Sequence, residues 1–110
     1  MKTPEGYIYI RIHSSYDLEN ACKLGKASNI PERDSTYATG ELRRGHFEIV
    51  FQVPYYLMDT LERKIQKEFT HLNIKYDGGK EFYDKKIFKK TSLLSKLKFS
   101  NSLNIGIYIT

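Results

Sequence analysis

The residues best suited to chemistry surround a glycine where a short strand is predicted to lead into a helix, within residues 22–33. Gly25 has no side chain, so another backbone or a phosphate group can approach it closely. Arg33 lies one turn into the predicted helix and places a permanent, planar cation beside the helix start. By itself the pattern supports no more than a strand-to-helix connection with surface charges.

The strand that precedes this junction has one aliphatic face and one polar aromatic face. Residues 6–13 alternate strictly, with three isoleucines on one face and Tyr7, Tyr9 and Arg11 on the other. Such a strand covers a core with its aliphatic face and contacts something polar with the other. Because tyrosine is also a good strand former, simple coverage of the sheet by the tyrosines is an open alternative.

A candidate metal ligand lies on a predicted helix that follows the strand at residues 46–53. In residues 55–72 apolar side chains recur every three or four positions, which predicts an amphipathic helix. Glu62 flanks the apolar stripe between Asp59 and Gln66, from where its carboxylate can point toward the polar face of the sheet. That position suits a metal ligand, and a solvated helix glutamate is the alternative.

Together these segments predict an α+β domain in which a small antiparallel sheet is flanked by helices. We expect about three strands, with the strand at residues 6–13 in the centre. Glu81-Phe82-Tyr83 is expected to form either a short edge strand or the start of another helix. The other predicted strands are residues 21–25 and 46–53, and the predicted helices are residues 30–38, capped by Asn29, and residues 55–72.

Length and composition narrow the class of protein. The 110 residues are expected to form one domain, residues 1–110, in which residues 85–110 contribute a basic helix and a C-terminal strand. No apolar run reaches the length of a membrane span and no signal pattern is visible, so we expect an intracellular protein without a membrane partner. Cys22 and three scattered histidines provide neither a disulfide nor zinc-ligand spacing.

The net charge of +5 is distributed unevenly along the chain. Residues 1–60 carry 7 basic and 8 acidic side chains, whereas residues 61–110 carry 11 basic and 5 acidic ones. Such asymmetry is typical of proteins that bind a polyanion, most often a nucleic acid. A lysine-rich helix surface that only keeps the protein in solution is the alternative.

The two motifs at the start of the chain resemble those of the GIY-YIG nuclease superfamily. Tyr7-Ile8-Tyr9 is similar to the first motif, with tyrosine in place of its glycine, and Lys23-Leu24-Gly25 is similar to the second, with lysine in place of its tyrosine. In the expected order after them, Arg33 matches the family's arginine and Glu62 its metal-binding glutamate.

The resemblance extends over about residues 6–84 and points to one branch of the superfamily. Glu81-Phe82-Tyr83 looks like the Glu-Phe-Phe strand of a phage- and virus-rich branch, in which the second motif often reads Lys-Ile-Gly. The resemblance implies a small antiparallel sheet flanked by helices, DNA as the partner, and hydrolysis of DNA phosphodiester bonds.

The resemblance also implies a role for each site residue. Glu62 would hold a single divalent metal, Mg²⁺ or Mn²⁺. Tyr9, with its pKa lowered by the metal and nearby cations, would act as general base for water. Arg33 would bind phosphate oxygens and Lys26 would add positive charge. The expected substrate-binding residues are Lys23, Gly25, Arg11 and Tyr7.

The departures from the family pattern leave other functions open. Because Lys23 replaces the second-motif tyrosine and Tyr7 replaces a glycine, a catalytically weak or inactive nucleic-acid-binding module is the first alternative. A small interaction domain without a nucleic-acid role is the second. The sequence indicates neither the preferred DNA sequence nor the oligomeric state.

Overall fold

The computed structural model describes residues 5–74, 81–89 and 106–109, with the backbone alone for residues 88–89 and 106–109. The strands are β1 (Glu5–Ile12), β2 (Ala21–Ala27), β3 (His46–Pro54), β4 (Phe82–Asp84) and β5 (Gly106–Ile109). The α-helices are α1 (Ile30–Thr39), α2 (Met58–Glu68) and the short α3 (Lys86–Lys89). Short 3₁₀ helices occupy Ser14–Glu19, Tyr55–Leu57 and Thr70–Leu72.

The fold is α+β, as predicted, and its sheet is antiparallel with β1 in the centre. The described strands follow the order β4-β2-β1-β3-β5. The positions of β1, β2 and β3 agree with the sequence, but the expected number of about three strands is too low. Of the two alternatives at Glu81-Phe82-Tyr83, the edge strand is correct, since β4 lies beside β2, and the expected C-terminal strand is β5, beside β3. Most of the basic helix expected within residues 85–110 lies outside the described residues.

A helix packs on each face of the sheet. On one face, Ile8 and Ile10 of β1 lie fully buried against Leu61 and Ile65 of α2. This face holds the main core, and Tyr83 and Ile87 close it beside β2. On the other face, α1 covers a smaller cluster, in which Ile30 and Tyr37 pack against Tyr9, Ala27, Phe47 and Val50.

A β-bulge in the β1–β3 pair changes which side chains share a face. Ile10 pairs with Ile49, but Arg11 pairs with Phe47, so Glu48 is the additional residue. Strict alternation would place Phe47 with Ile49 on the α2 face. The bulge instead turns Phe47 to the α1 face, where its ring lies 4.9 Å from that of Tyr9, measured between centroids.

The helix boundaries follow local signals in the sequence. Asn29 caps α1 as predicted, since its side chain accepts a hydrogen bond of 3.0 Å from the Glu32 amide. The periodic segment 55–72 forms α2 with a 3₁₀ turn at each end. None of the helices in the described ranges combines the length and apolar character needed to cross a membrane.

Candidate active site

Tyr9 lies across Gly25 at the middle of the β1–β2 pair. The two residues are cross-strand partners, and Tyr9 is 2% exposed. A β-carbon at Gly25 would stand 2.5 Å from the Tyr9 hydroxyl oxygen, closer than non-bonded atoms allow. The backbone of Gly25 is not in the left-handed region. Glycine is therefore needed here for space, because it lets the Tyr9 hydroxyl reach across β2.

Sequence reasoning missed Tyr37, the hydrogen-bond partner of Tyr9. The two hydroxyl oxygens are 2.7 Å apart, and either can donate. Tyr37 lies on α1 one turn after Arg33, so both side chains share one helix face. The spacing of four residues between Arg33 and Tyr37 was the sequence signal that could have indicated Tyr37 as a site residue. It could not be interpreted without knowing that α1 covers the Tyr9 face.

The environment of Tyr9 is opposite to the one expected from the sequence. Burial, followed by the hydrogen bond with Tyr37, raises the pKa of Tyr9 far above that of a free tyrosine. Arg33 lowers this pKa, but its effect is the smaller one because Arg33 itself is exposed. Tyr9 is therefore a neutral phenol in the protein alone, and the expected lowering of its pKa by nearby cations is wrong for this state.

Lys23, at the position of the second-motif tyrosine, lies beside the Tyr9–Tyr37 pair. Its ammonium group is 5.0 Å from the centre of the Tyr37 ring and 3.5 Å from the Glu81 carboxylate. Burial lowers the pKa of Lys23, but Tyr37 and Glu81 together raise it above its ordinary value. Lys23 is thus a fixed cation, which suits phosphate binding better than proton abstraction.

Glu62 and Lys26 meet on the opposite face of the sheet. Lys26 follows Gly25 in β2, so its side chain points toward α2 and lies 3.5 Å from the Glu62 carboxylate. Lys26 also donates a hydrogen bond to Asp59, one turn before Glu62. Burial raises the pKa of Glu62, whose residue is 9% exposed, and Lys26 opposes that shift. Lys26 therefore only partly compensates the buried carboxylate.

The Tyr9–Tyr37 pair on one face and the Glu62–Lys26 pair on the other both adjoin an open edge of the sheet. β4 pairs with β2 only as far as Lys23, so in the described ranges residues 25–27 have a strand partner only in β1. Glu81 lies where β4 begins. Its negative charge raises the pKa of Tyr9, although less than burial and the hydrogen bond with Tyr37 do. The same charge raises the pKa of Glu62, although less than burial does. The Glu81 carboxylate therefore interacts with groups from both faces.

Arg33 lies next to this edge, at the start of α1. Its guanidinium donates to the Lys26 carbonyl oxygen at 3.4 Å. A polar cleft of about 190 Å³ adjoins it, lined by residues 27–29 together with Glu32, Arg33 and Thr36. Because a guanidinium presents several donors in one plane, this cleft is a suitable position for phosphate oxygens.

Arg11 and Tyr7, which were predicted to bind substrate, are buried and half-buried in the structure. Arg11 is 0% exposed and binds both oxygens of Glu41 at 2.6 Å, with the Tyr37 ring 3.9 Å from its guanidinium carbon. A phosphate cannot reach it in this arrangement, so its prediction as a substrate ligand does not fit the structure. Tyr7 shares the face of Tyr9, but it is half-buried against the α1-face cluster.

The donor set is consistent with one loosely coordinated divalent cation. No group of three or more histidine, cysteine or acidic side chains in the described residues forms a ready metal cage. Mg²⁺ commonly uses one or two carboxylates and completes its shell with water and substrate phosphate. Glu62, with Glu81 in electrostatic reach, provides this chemistry, and its buried carboxylate would be better compensated by a divalent charge.

The structure thus defines an α+β domain with tyrosine, lysine, arginine and glutamate side chains at one edge of its sheet. Residues 6–97 match the family model described as the T5orf172 domain, and the chain belongs to that family. The domain is found in phage-like and nuclease-associated proteins, in agreement with the coarser part of the predicted resemblance. Searches of curated proteins and of solved structures each returned no match.

Proposed function

We propose that the protein is a metal-dependent endonuclease of GIY-YIG type that hydrolyses DNA phosphodiester bonds. The observation that carries the proposal is the convergence at the open edge of β2. There two consecutive residues of β2 contact the two groups from opposite faces: Gly25 lies against the Tyr9 hydroxyl, and the Lys26 ammonium is 3.5 Å from the Glu62 carboxylate. The nuclease association of the T5orf172 family supports this choice among nucleic-acid functions.

The cations around this edge would hold the scissile phosphate. Arg33 presents a planar fork to two phosphate oxygens from the polar cleft, while Lys23 and Lys26 add positive charge from the two faces of β2. Since Lys26 is bound to Glu62 and Asp59 in the protein alone, it must exchange at least one of these contacts when phosphate arrives.

Glu62 is the residue that would hold Mg²⁺ or Mn²⁺. A divalent cation there would supply positive charge to the phosphate as negative charge develops on it in the transition state. The chain contributes the carboxylate at a buried position and the neighbouring ammonium of Lys26. Burial matters because electrostatic interactions are stronger where water is excluded.

The two tyrosine hydroxyls would orient the attacking water. Tyr9 Oη can accept a hydrogen bond from water while it donates to Tyr37 Oη, and Tyr37 is partly exposed. A proton released at Tyr9 can therefore pass to Tyr37 and on to solvent. This arrangement uses neutral phenols, which is the state that the raised pKa of Tyr9 favours.

A binding module without catalysis is the second candidate function. It is favoured by Lys23, which replaces the second-motif tyrosine and so removes a phenol from the site, and by the occupation of Glu62 by Lys26, which a metal ion would have to displace. Such a module would bind DNA through its cations, with an affinity that falls steeply with salt. Its DNA binding would not change in a Glu62→Ala variant.

Nicking of supercoiled plasmid in the presence of Mg²⁺ or Mn²⁺ tests the proposal. We expect wild type to nick, and chelator or Glu62→Ala to abolish nicking. Glu68→Ala, which removes an exposed carboxylate from the same helix, is the matched control and should leave nicking unchanged. Thermal unfolding gives a second readout, because the cation should stabilise wild type but not Glu62→Ala. Retained, salt-sensitive DNA binding without nicking would favour the binding module.

A further inference from the structure

Two neighbouring tyrosines are held with their rings in solvent close to the proposed site. Tyr55 and Tyr56 are 50% and 69% exposed, and neither side chain forms a hydrogen bond or ring contact with the described part of the chain. Their neighbours are firmly placed, since Pro54 pairs with Glu5 in the sheet and Met58 is buried in the core. The segment that carries the two rings is therefore anchored on both sides.

The tyrosines precede the proposed metal ligand along one helical path. They form a 3₁₀ turn that leads directly into α2. Tyr55, Asp59 and Glu62 follow one another at spacings of four and three residues, which places side chains on the same side of a helix. Asp59 and Glu62 both bind Lys26, so the tyrosines lie about a helical turn from a cation of the site.

The chemistry of this surface fits nucleobases that are not stacked inside a duplex. An exposed phenol ring offers a flat face on which any base can stack, and cations beside it attract the phosphate backbone. The nearby cations are Lys26 and the exposed Arg63, which lies one helical turn after Asp59. In a duplex the base faces are covered by their neighbours, so stacking of this kind selects single-stranded segments.

We infer that Tyr55 and Tyr56 form a platform on which unpaired DNA bases stack. The inference deepens the proposed function and rests on it: the substrate class becomes DNA with a single-stranded segment next to the phosphate that is cleaved. The platform adds affinity for bases without reading their sequence, because every base has a face that stacks on tyrosine.

Fluorescence anisotropy without divalent cation tests the platform. The probes are a short DNA single strand, an abasic strand of equal length and charge, and a duplex of the same sequence. The variants are Tyr55→Ala/Tyr56→Ala and the ring-preserving Tyr55→Phe/Tyr56→Phe. Leu18→Ala/Leu42→Ala is the matched control, because Leu18, on the 3₁₀ helix after β1, and Leu42, between α1 and β3, are 92% and 103% exposed. Thermal unfolding verifies that each variant folds.

Wild type should bind the ordinary strand about tenfold or more tightly than the abasic strand. The alanine pair should lose this difference, while the phenylalanine pair and the leucine control keep it. Equal binding of the ordinary strand by wild type and the alanine pair would overturn the platform, as would equal binding of the two strands by wild type.

The experiment separates failure of the platform from failure of the proposed nuclease. If the alanine pair binds as wild type does while Glu62-dependent nicking is observed, the platform is wrong and the nuclease stands. If the alanine pair loses strand binding but wild type does not nick, the platform is supported and the nuclease is not. Absence of binding to all three probes would overturn the platform.

Discussion

The Tyr9 hydroxyl occupies the space that a side chain at Gly25 would fill. The two residues face each other across β1 and β2, and a β-carbon on Gly25 would lie 2.5 Å from the Tyr9 oxygen. Gly25 thus fixes how far the phenol extends over β2. Because the Tyr37 hydroxyl is 2.7 Å from that of Tyr9, the position of both tyrosine hydroxyls depends on the absence of a side chain at Gly25.

Gly25→Ala is expected to displace the Tyr9 ring and to separate its hydroxyl from Tyr37. The nicking rate should fall at least about tenfold, and overpacking should lower the free energy of unfolding by about 1–3 kcal/mol. Gly40→Ala is the matched control, since the nearest neighbouring atom would be 4.0 Å from its β-carbon. Plasmid nicking and urea unfolding measure the two effects. An unchanged nicking rate in Gly25→Ala would contradict the role given to this contact.

Tyr37→Phe removes only the hydroxyl that is bonded to Tyr9. The ring that stacks on Arg11 remains, so stability should change by no more than about 1.5 kcal/mol, the value of one hydrogen bond. The nicking rate should fall by about 100-fold or more, as expected for loss of a proton-transfer partner. Single-turnover kinetics compare it with Tyr56→Phe, in which an exposed hydroxyl is removed. A rate equal to that of Tyr56→Phe would show that Tyr37 is only structural.

Removal of one partner from the buried Arg11–Glu41 ion pair should strongly destabilise the protein. Glu41→Ala leaves the Arg11 charge buried without its counter-ion, and we expect a loss of about 3–5 kcal/mol in urea unfolding. The exposed Arg44–Asp34 pair provides the comparison, and Asp34→Ala should cost less than about 1 kcal/mol. Similar losses in both variants would mean that the burial of Arg11 has no energetic consequence.

Glu62→Gln is expected to change how stability depends on pH. Burial raises the pKa of Glu62, so the folded state binds this proton more readily than the unfolded chain does. The associated stability is fully present below the unfolded pKa of about 4.3 and is lost as the pH rises through the folded pKa.

Glutamine stays neutral, so without divalent cation the variant should be more stable than wild type at pH 7. The difference should disappear below about pH 4, where Glu62 is protonated in both states. Urea unfolding at several pH values measures it. A variant that is less stable at pH 7 would show that the Lys26–Glu62 ion pair outweighs the cost of burial.

Local patterns were sufficient for the parts of the fold that are locally determined. Alternation located β1 and β3, the cap signal located α1, and the apolar repeat located α2. The bulge at Glu48 could not be predicted, because it depends on how β1 and β3 pair rather than on either strand alone. As a result, Phe47 lies on the face opposite to the one that strict alternation would give it.

The candidate site was predictable in its residue types but not in its contacts. The family resemblance gave Tyr9, Arg33 and Glu62 as candidates, whereas Tyr37 is recognisable only from the packing of α1 over the sheet. Arg11 was misjudged for the same reason, since its partner Glu41 is thirty residues away in the chain. Partners separated this far are set by tertiary packing, which periodicity does not encode.

A double-mutant cycle in nicking rate tests the central claim most directly, namely that Tyr9 and Glu62 act at one site although they lie on opposite faces of the sheet. Tyr9→Phe, Glu62→Gln and the double variant are compared with wild type under single-turnover conditions. If the residues act together, each single change should cost about 100-fold or more, and the second change should add little to the first. Independent losses that multiply in the double variant would contradict a shared site.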